Sequence, residues 1–501
     1  MAEKFILAID EGTTSTRALI VDRGSVIRAQ AQTEFAQLTP TPERTEHDPE
    51  EIWRATYEMM KKVLNDSGLK ASDIEAIGIT NQRSTRMAWD RVTGKPIYNA
   101  ILWQDMRTAP FVEKTQAEWG EKVYRHTGWP FCPLLSSLGL WWMMENIPDA
   151  RARASQRDVI FGNVDTWLIY NLTKGKTHAT SASNATVAGY YDLYKNEWYK
   201  EWFEFLGVPV QAMPEVRDDD GDYGVTDPAL FGAEIPIRGN IGDQQAGLFG
   251  QGAINTGDVK CTHGTGTFLN MNVGDKLPDS RSGTNVLIAW RRNGKTTYTL
   301  EGYASVTGSA VQWLRDGAEL IKSSADTEEL AKSVPDNGGV YFVPAMTGLA
   351  APYWDTSARG TIIGITRGTS RAHLGRATLE SIVYQTKDFL QSMRQDSGMD
   401  IVSMKVDGGA VRNDWLMQFQ ADMLNAEVVR PVNPEATVMG AAYMAGLATG
   451  FWPTEEEAFA TLRIEKTFTP KMSESERSRL YADWSRAVQH SRGWLASTNG
   501  G

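Results

Sequence analysis

The segment Asp10-Glu11-Gly12-Thr13-Thr14-Ser15-Thr16-Arg17 joins residue types that bind phosphate to one that binds a metal ion. Gly12 lets neighbouring backbone N–H groups converge on an anion. Thr13 and Thr14 add hydroxyl donors, and Arg17 adds a permanent positive charge. Asp10 ends the apolar run Phe5 to Ile9 and is placed to hold a cation, through water. A hairpin whose Asp and Thr side chains only satisfy turn amides would read the same way, so the segment alone leaves both readings open. Gly264-Thr265-Gly266-Thr267 is a second Gly/Thr loop, suited to another part of a phosphate chain. Asp407-Gly408-Gly409-Ala410-Val411-Arg412-Asn413-Asp414 is a third, whose paired glycines let a backbone approach a flat ligand. Each of these is also compatible with an ordinary turn.

A proton acceptor is available in Gly242-Asp243-Gln244-Gln245. Asp243 follows the strand-like stretch 235–241 and precedes a helix-like run, which reads as a helix N-cap. It also reads as a general base that takes the proton of an attacking hydroxyl. The two roles are compatible, because a preorganised Asp can still face a cleft. Trp103, in Leu102-Trp103-Gln104-Asp105, is either a packing residue or the ring on which the C–H face of a polyol rests.

The elements that must position these groups alternate between strand and helix, an α/β pattern. Phe5 to Ile9 reads as a strand buried on both faces, and Ala18–Val21 with Val26–Ala29 as a hairpin around Asp22-Arg23-Gly24-Ser25. A helix opens at Asp48-Pro49-Glu50-Glu51, with Asp48 as cap, Pro49 in the first turn and Glu51 closing a capping box. Val259-Lys260-Cys261, the Gly/Thr loop and Phe268–Met271 then restart the plan of the first half. A boundary near residue 250 follows, giving domains 1–250 and 251–501. A chain of 501 residues exceeds what one core normally organises.

The formal net charge of −11 excludes a non-specific binder of phosphate backbones, so no nucleic-acid partner is expected. No stretch is apolar for long enough to span a bilayer, and no cleavage site follows the first apolar run. Cys132 and Cys261 make neither a disulfide framework nor a zinc cluster. A cytoplasmic protein with no membrane partner is the expectation.

Taken together, the motifs resemble the FGGY carbohydrate kinase family. They include residues 8–15, Gly78-Ile79-Thr80-Asn81-Gln82-Arg83, Phe161-Gly162-Asn163-Val164-Asp165-Thr166-Trp167-Leu168, Gly242-Asp243-Gln244-Gln245, Gln312-Trp313-Leu314-Arg315-Asp316 and Val406-Asp407-Gly408-Gly409. The resemblance implies a two-domain actin-like, ribonuclease-H-like ATPase fold with an interdomain cleft. It implies ATP and Mg2+ as cofactors, and a homo-oligomer (dimer or tetramer). By motif match, Asp10 is the metal-side carboxylate. Thr13, Thr14, Arg17 and Thr265 contact phosphate, and Gly308, Gln312, Gly409 and Asn413 contact the nucleotide. Asp243 is the base, with Arg83, Trp103, Gln244 and Phe268 around the acceptor.

The chain departs from the glycerol-using branch of that family on the acceptor side. Ser84 stands where Glu is usual, Leu134 where Tyr is usual, and Gly139 where Lys is usual. His263 replaces a Tyr before the second Gly/Thr loop. The expectation is therefore a kinase of a small polyol, glycerol or a longer one such as erythritol or threitol, with Ser84 serving an extra hydroxyl. A ketose kinase of the same family and a non-catalytic nucleotide-binding regulator are the alternatives.

Overall fold

The computed structural model describes residues 3–187, 189–401, 403–432 and 435–495. Two mixed sheets dominate it. In the first, the strands Ser15–Val21 and Ile27–Glu34 run antiparallel beside Phe5–Glu11. Ile74–Asn81 and Ile237–Gly242 add in parallel on the other side. The second sheet repeats this plan. Val259–His263, Thr267–Gly274 and Lys295–Ala304 form the antiparallel part, and Ser403–Asp407 with Glu427–Pro431 form the parallel part. Asn285–Arg292 and Ile464–Phe468 extend its two edges. The apolar run Phe5 to Ile9 is fully packed on both faces, as a central strand with parallel and antiparallel neighbours must be.

Each loop singled out above leaves the end of a central strand. This is the edge where open α/β sheets bind ligands, because the strand ends leave a crevice lined by loops. The helix Pro49–Ser67 starts where the sequence indicates, with the Asp48 carboxylate accepting from Glu50 N at 2.9 Å. Glu51 forms no capping box; it lies 3.9 Å from Arg54 instead.

The two halves of the sequence are interleaved in space. The helix Ala436–Thr449 comes late in the chain but packs on the first sheet, along the strands Ile74–Asn81 and Ile237–Gly242 and the helix Asp243–Gly250. The contact is backbone against backbone. A Cβ on Gly440 would lie 2.0 Å from the Ala246 carbonyl oxygen, and one on Gly250 would lie 1.9 Å from that of Ala436. Only glycine permits this approach, and it fixes the depth at which the Asp243 helix sits. Gly440→Ala is therefore expected to cost about 1–3 kcal/mol of stability, as overpacking does. It should also lower turnover by displacing that helix. A thermal melt and an activity assay on the one variant check both; unchanged values would show that the helices can simply slide.

Candidate active site

Arg83 is the polar centre of the cleft. It follows the strand Ile74–Asn81 and is buried between two carboxylates from different parts of the chain. Its Nε lies 2.8 Å from Asp243 Oδ1, and its Nη2 lies 2.9 Å from Glu301 Oε2. Nη1 donates to Gln245 Oε1 at 3.1 Å. Glu301 is fully buried and also accepts from Asn270 at 3.0 Å. A buried guanidinium needs compensating charge on its fork, and here two carboxylates supply it.

Asp243 is the first residue of its helix, and Gly242 is the N-cap, so the expected capping role is corrected. The reason is backbone geometry: Gly242 is the residue in extended conformation, at φ −61° and ψ 149°. Asp243 Oδ1 takes Gln244 N (2.6 Å) and Arg83, which leaves Oδ2 with no hydrogen bond in the described structure. Burial raises the Asp243 pKa; Arg83 opposes the shift and Glu301 adds to it. A carboxylate held by one oxygen, with the other free and its basicity raised, has the form of a general base.

A cavity of about 240 Å³ opens beside it. Thr13, Arg83, Ser84, Trp103, Leu134, Gln244 and Phe268 all line it, so the acceptor-side residues read from the sequence converge. Trp129, Val187, Tyr303 and Trp354 line it too. Trp103 donates through Nε1 to Thr13 Oγ1 at 3.1 Å, tying the first Gly/Thr loop to the aromatic wall. Ser84 sits at φ 60° and donates to the Leu134 carbonyl at 3.1 Å, with Ser136 Oγ at 2.8 Å. Its hydrogen is thus directed to the protein, which leaves Ser84 an acceptor lone pair at the cavity wall. Asp105 cannot replace the missing Glu. It is fully buried and accepts from Thr45 N and from Arg107.

A second, larger cavity of about 530 Å³ is lined by Thr265, Gly308, Gln312, Gly409 and Asn413. All five residues of the second half that the sequence reading assigned to ATP therefore share one space. Gly408, at φ 93°, is a position only glycine fills, because a Cβ there would lie 2.4 Å from the His263 carbonyl oxygen. Gly409 has open space where a Cβ would be. Asn413 also caps the helix Asp414–Leu424 by accepting from Leu416 N at 2.9 Å. His263 is buried and bonded to Thr267 Oγ1 (2.9 Å) and Gln420 Oε1 (2.8 Å), and burial pushes its pKa down to about 4. It supports the loop from behind as a neutral ring.

Two phosphate-side residues stand apart from these cavities. Thr14 is exposed at the tip of its loop. Arg17 is ion-paired with Glu435, just before the helix Ala436–Thr449, and its Nη2 donates to Gln32 at 2.8 Å. Asp10, near the end of the strand Phe5–Glu11, lines neither cavity; its pKa is raised to about 6 by burial and by Asp243, while Arg17 opposes the shift.

Sequence reasoning missed Glu301, Tyr303 and Arg86. Glu301 and Tyr303 stand two apart on the strand Lys295–Ala304, so both face the cleft. Nothing in the local pattern marks them. Arg86 is fully buried and donates from Nη1 to the Ser84 carbonyl at 3.0 Å. A Cβ on Gly139 would lie 2.0 Å from Arg86 Nε. Arg86 thus fills the volume that the Lys usual at position 139 would need.

The comparisons with known proteins agree with this geometry. A model of the N-terminal domain of the FGGY family of carbohydrate kinases matches residues 5–250, and one of the C-terminal domain matches residues 259–449. The chain belongs to the FGGY family of carbohydrate kinases. It is a phosphotransferase with an alcohol group as acceptor, and the expected family, fold and enzyme class are borne out. Glycerol kinase 2 of Thermotoga maritima is 49% identical over 492 residues, covering 98% of this chain and 99% of that protein. Glycerol kinase 2 of Sulfolobus acidocaldarius is 49% identical over 501 residues, the full length of both. Among solved structures, Plasmodium falciparum glycerol kinase with ADP superposes with a TM-score of 0.92 at 33% identity, covering 98% of each chain.

Two expected outcomes follow from this geometry. Asp10→Asn should raise the melting temperature of the ligand-free protein at pH 8, because a buried carboxylate is removed. Stability tied to a raised carboxyl is present below its ordinary pKa of 3.8 and lost as pH rises through about 6, so the advantage should vanish towards pH 4. Melting curves at the two pH values read this directly, and no gain at pH 8 would count against it. Gly139→Lys alone should destabilise the fold by overpacking. Combined with Arg86→Ala it should cost clearly less than the sum of the single changes, since the two sites share one volume.

Proposed function

We propose that this kinase transfers the γ-phosphoryl group of ATP to a terminal hydroxyl of a small polyol bound in the 240 Å³ cavity. The observation that carries the reading is Asp243, which has one oxygen fixed by Arg83 and Gln244 N and the other unengaged at the wall of that cavity. The nucleotide occupies the larger cavity, with Gly409 beneath the base and ribose and Thr265 towards the phosphates. The names of the relatives support a glycerol-like acceptor.

Mg2+ fits the residues present. Among the described residues, no cluster of three or more His, Cys, Asp or Glu side chains forms a resident metal site. Asp10 and Asp243 bear on one another electrostatically. A cation carried mainly by the nucleotide and held by one or two carboxylates needs no more than this. Asp10, and through water Asp243, would hold it. When bound, Mg2+ neutralises charge on the phosphates.

The chain's own groups then do the following. Trp103 and Phe268 sandwich the carbon skeleton and hold one hydroxyl towards Asp243. Oδ2 of Asp243 accepts its proton as the oxygen attacks the phosphorus in line with the departing ADP oxygen. Arg83 keeps Asp243 ionised and oriented. Arg17 exchanges Glu435 for the phosphate chain when the nucleotide binds. In this reading the enzyme is cytosolic and assembles with copies of itself.

Replacing Asp243 by Asn removes the base and keeps the helix start. Turnover should fall by roughly a hundredfold or more, as loss of a general base does, with KM for ATP little changed. A coupled ADP-release assay on glycerol, erythritol, both threitols, ribulose and xylulose measures it. Near-normal turnover by the variant would remove Asp243 from this role, and activity confined to the ketoses would replace the polyol reading.

A further inference from the structure

Most polar groups lining the acceptor cavity are already engaged by the protein. Arg83 is held by Asp243, Glu301 and Gln245. Ser84 is held by Leu134 and Ser136, and Thr13 receives the Trp103 N–H. The Trp354 N–H is turned away to the Gly283 carbonyl at 2.7 Å. The Trp129 N–H is enclosed without a partner. Gln244 gives its carbonyl oxygen to Lys260 Nζ at 2.8 Å, which leaves its amide N–H groups. Besides the enclosed Trp129 N–H, the groups with no hydrogen bond at all among the described residues are then Asp243 Oδ2, the Gln244 amide N–H groups and the Tyr303 hydroxyl, while Thr13 keeps its own O–H and Ser84 a lone pair.

Tyr303 is fixed in place by its neighbours. It pairs with Phe268 across the two strands, and the rings lie 4.6 Å apart. Its ring is 6.3 Å from that of Trp103, edge to face. Phe268 and Trp103 thus hold the ring rigidly, so its hydroxyl is delivered to one point of the cavity with little entropy left to lose. An aromatic box would hold a Phe equally well. The phenol hydroxyl has no protein partner among the described residues and lies on the wall of the cavity, so a ligand bound there finds it available as donor and acceptor.

We propose that the Tyr303 hydroxyl is the group that reads the acceptor's distal hydroxyl, in the place left by the Tyr missing at position 134. Leu134 lines the same cavity from the other half of the sequence. Recognition has therefore moved from the first half of the chain to the strand that also carries Glu301. Burial pushes the Tyr303 pKa up to about 12, so the group stays a neutral donor and acceptor across physiological pH. The cavity, at about 240 Å³, also exceeds what glycerol needs. Benzene, with as many heavy atoms as glycerol, is held by a cavity of roughly 150 Å³. A hydroxyl one or two carbons further out is within reach, so tetritols should be used at least as well as glycerol. The proposal rests on the polyol-kinase reading above.

The test is steady-state kinetics of the wild type, Tyr303→Phe, and Tyr303→Phe with Leu134→Tyr, on glycerol, erythritol and both threitols. Tyr303→Phe should raise KM for the best acceptor by about fivefold to a hundredfold, the effect of leaving a hydroxyl unmatched. Turnover at saturation and KM for ATP should stay within about twofold of wild type. Restoring a phenol through Leu134→Tyr should recover part of the loss and shift preference back towards glycerol. Unchanged acceptor KM in Tyr303→Phe, with the wild type active on a polyol, overturns the role of the hydroxyl alone. No polyol turnover by the wild type overturns the polyol reading and this proposal together.

Discussion

The ion-pair arrangement Asp243–Arg83–Glu301 is the constraint on which the rest of the cleft depends. One guanidinium satisfies two carboxylates that are 58 positions apart in sequence, one opening the helix that follows a strand of the first sheet and the other on a strand of the second, at 2.8 and 2.9 Å. Buried charge is costly unless paired and hydrogen-bonded, so the sheets cannot separate at this point without exposing or stranding a charge. The arrangement sets the position of Asp243, holds one of its oxygens and leaves the other free. Burial raises the Asp243 pKa above that of a free Asp, Arg83 opposes the rise and Glu301 adds to it. Structure and chemistry meet in this one group.

The scaffold around it explains why such precision is possible. Both sheets use the same order of three antiparallel and two parallel strands, and their loops leave at corresponding edges. The helix Ala436–Thr449 crosses to the first sheet and locks against the Asp243 helix through Gly440 and Gly250. Arg17 and Glu435 add an ion pair beside that crossing. Movement of one part of the chain is therefore transmitted to the Asp243 helix through backbone contact, which suits a cleft that shuts around two substrates.

Much of this was legible in the sequence. The apolar run Phe5 to Ile9, the Gly/Thr loops and the paired glycines after Val406 each carry a local signal, because strand burial and turn chemistry are short-range properties. The loops converge as that reading requires: Thr265, Gly308, Gln312, Gly409 and Asn413 line one cavity, and Arg83, Trp103, Leu134 and Phe268 line the other. The helix boundary at Asp48 was readable too, although Glu51 does not close a box. What could not be read was pairing between distant residues. Glu301 lies in an alternating strand pattern that fits a solvent-facing carboxylate as well as a buried one. Arg86 and Gly139 make sense only together, since one fills the space the other leaves. Ser84 invites a substrate contact by its position, yet its hydroxyl is turned to Leu134 and Ser136. The wall of the smaller cavity is the least legible region because Tyr303, which lines it, comes from a strand that no loop motif announces.

The most direct test of the central claim is the pH dependence of kcat/KM in Glu301→Gln. That change keeps the shape and removes a negative charge that adds to the rise burial causes in the Asp243 pKa. The acid limb of the profile should move to lower pH, because Asp243 then ionises more easily beside an Arg83 it no longer shares. The maximal rate should fall as the base weakens and loses its orientation. An acid limb and a maximal rate that both match the wild type would show that Asp243 is set independently of Glu301, and would contradict the account.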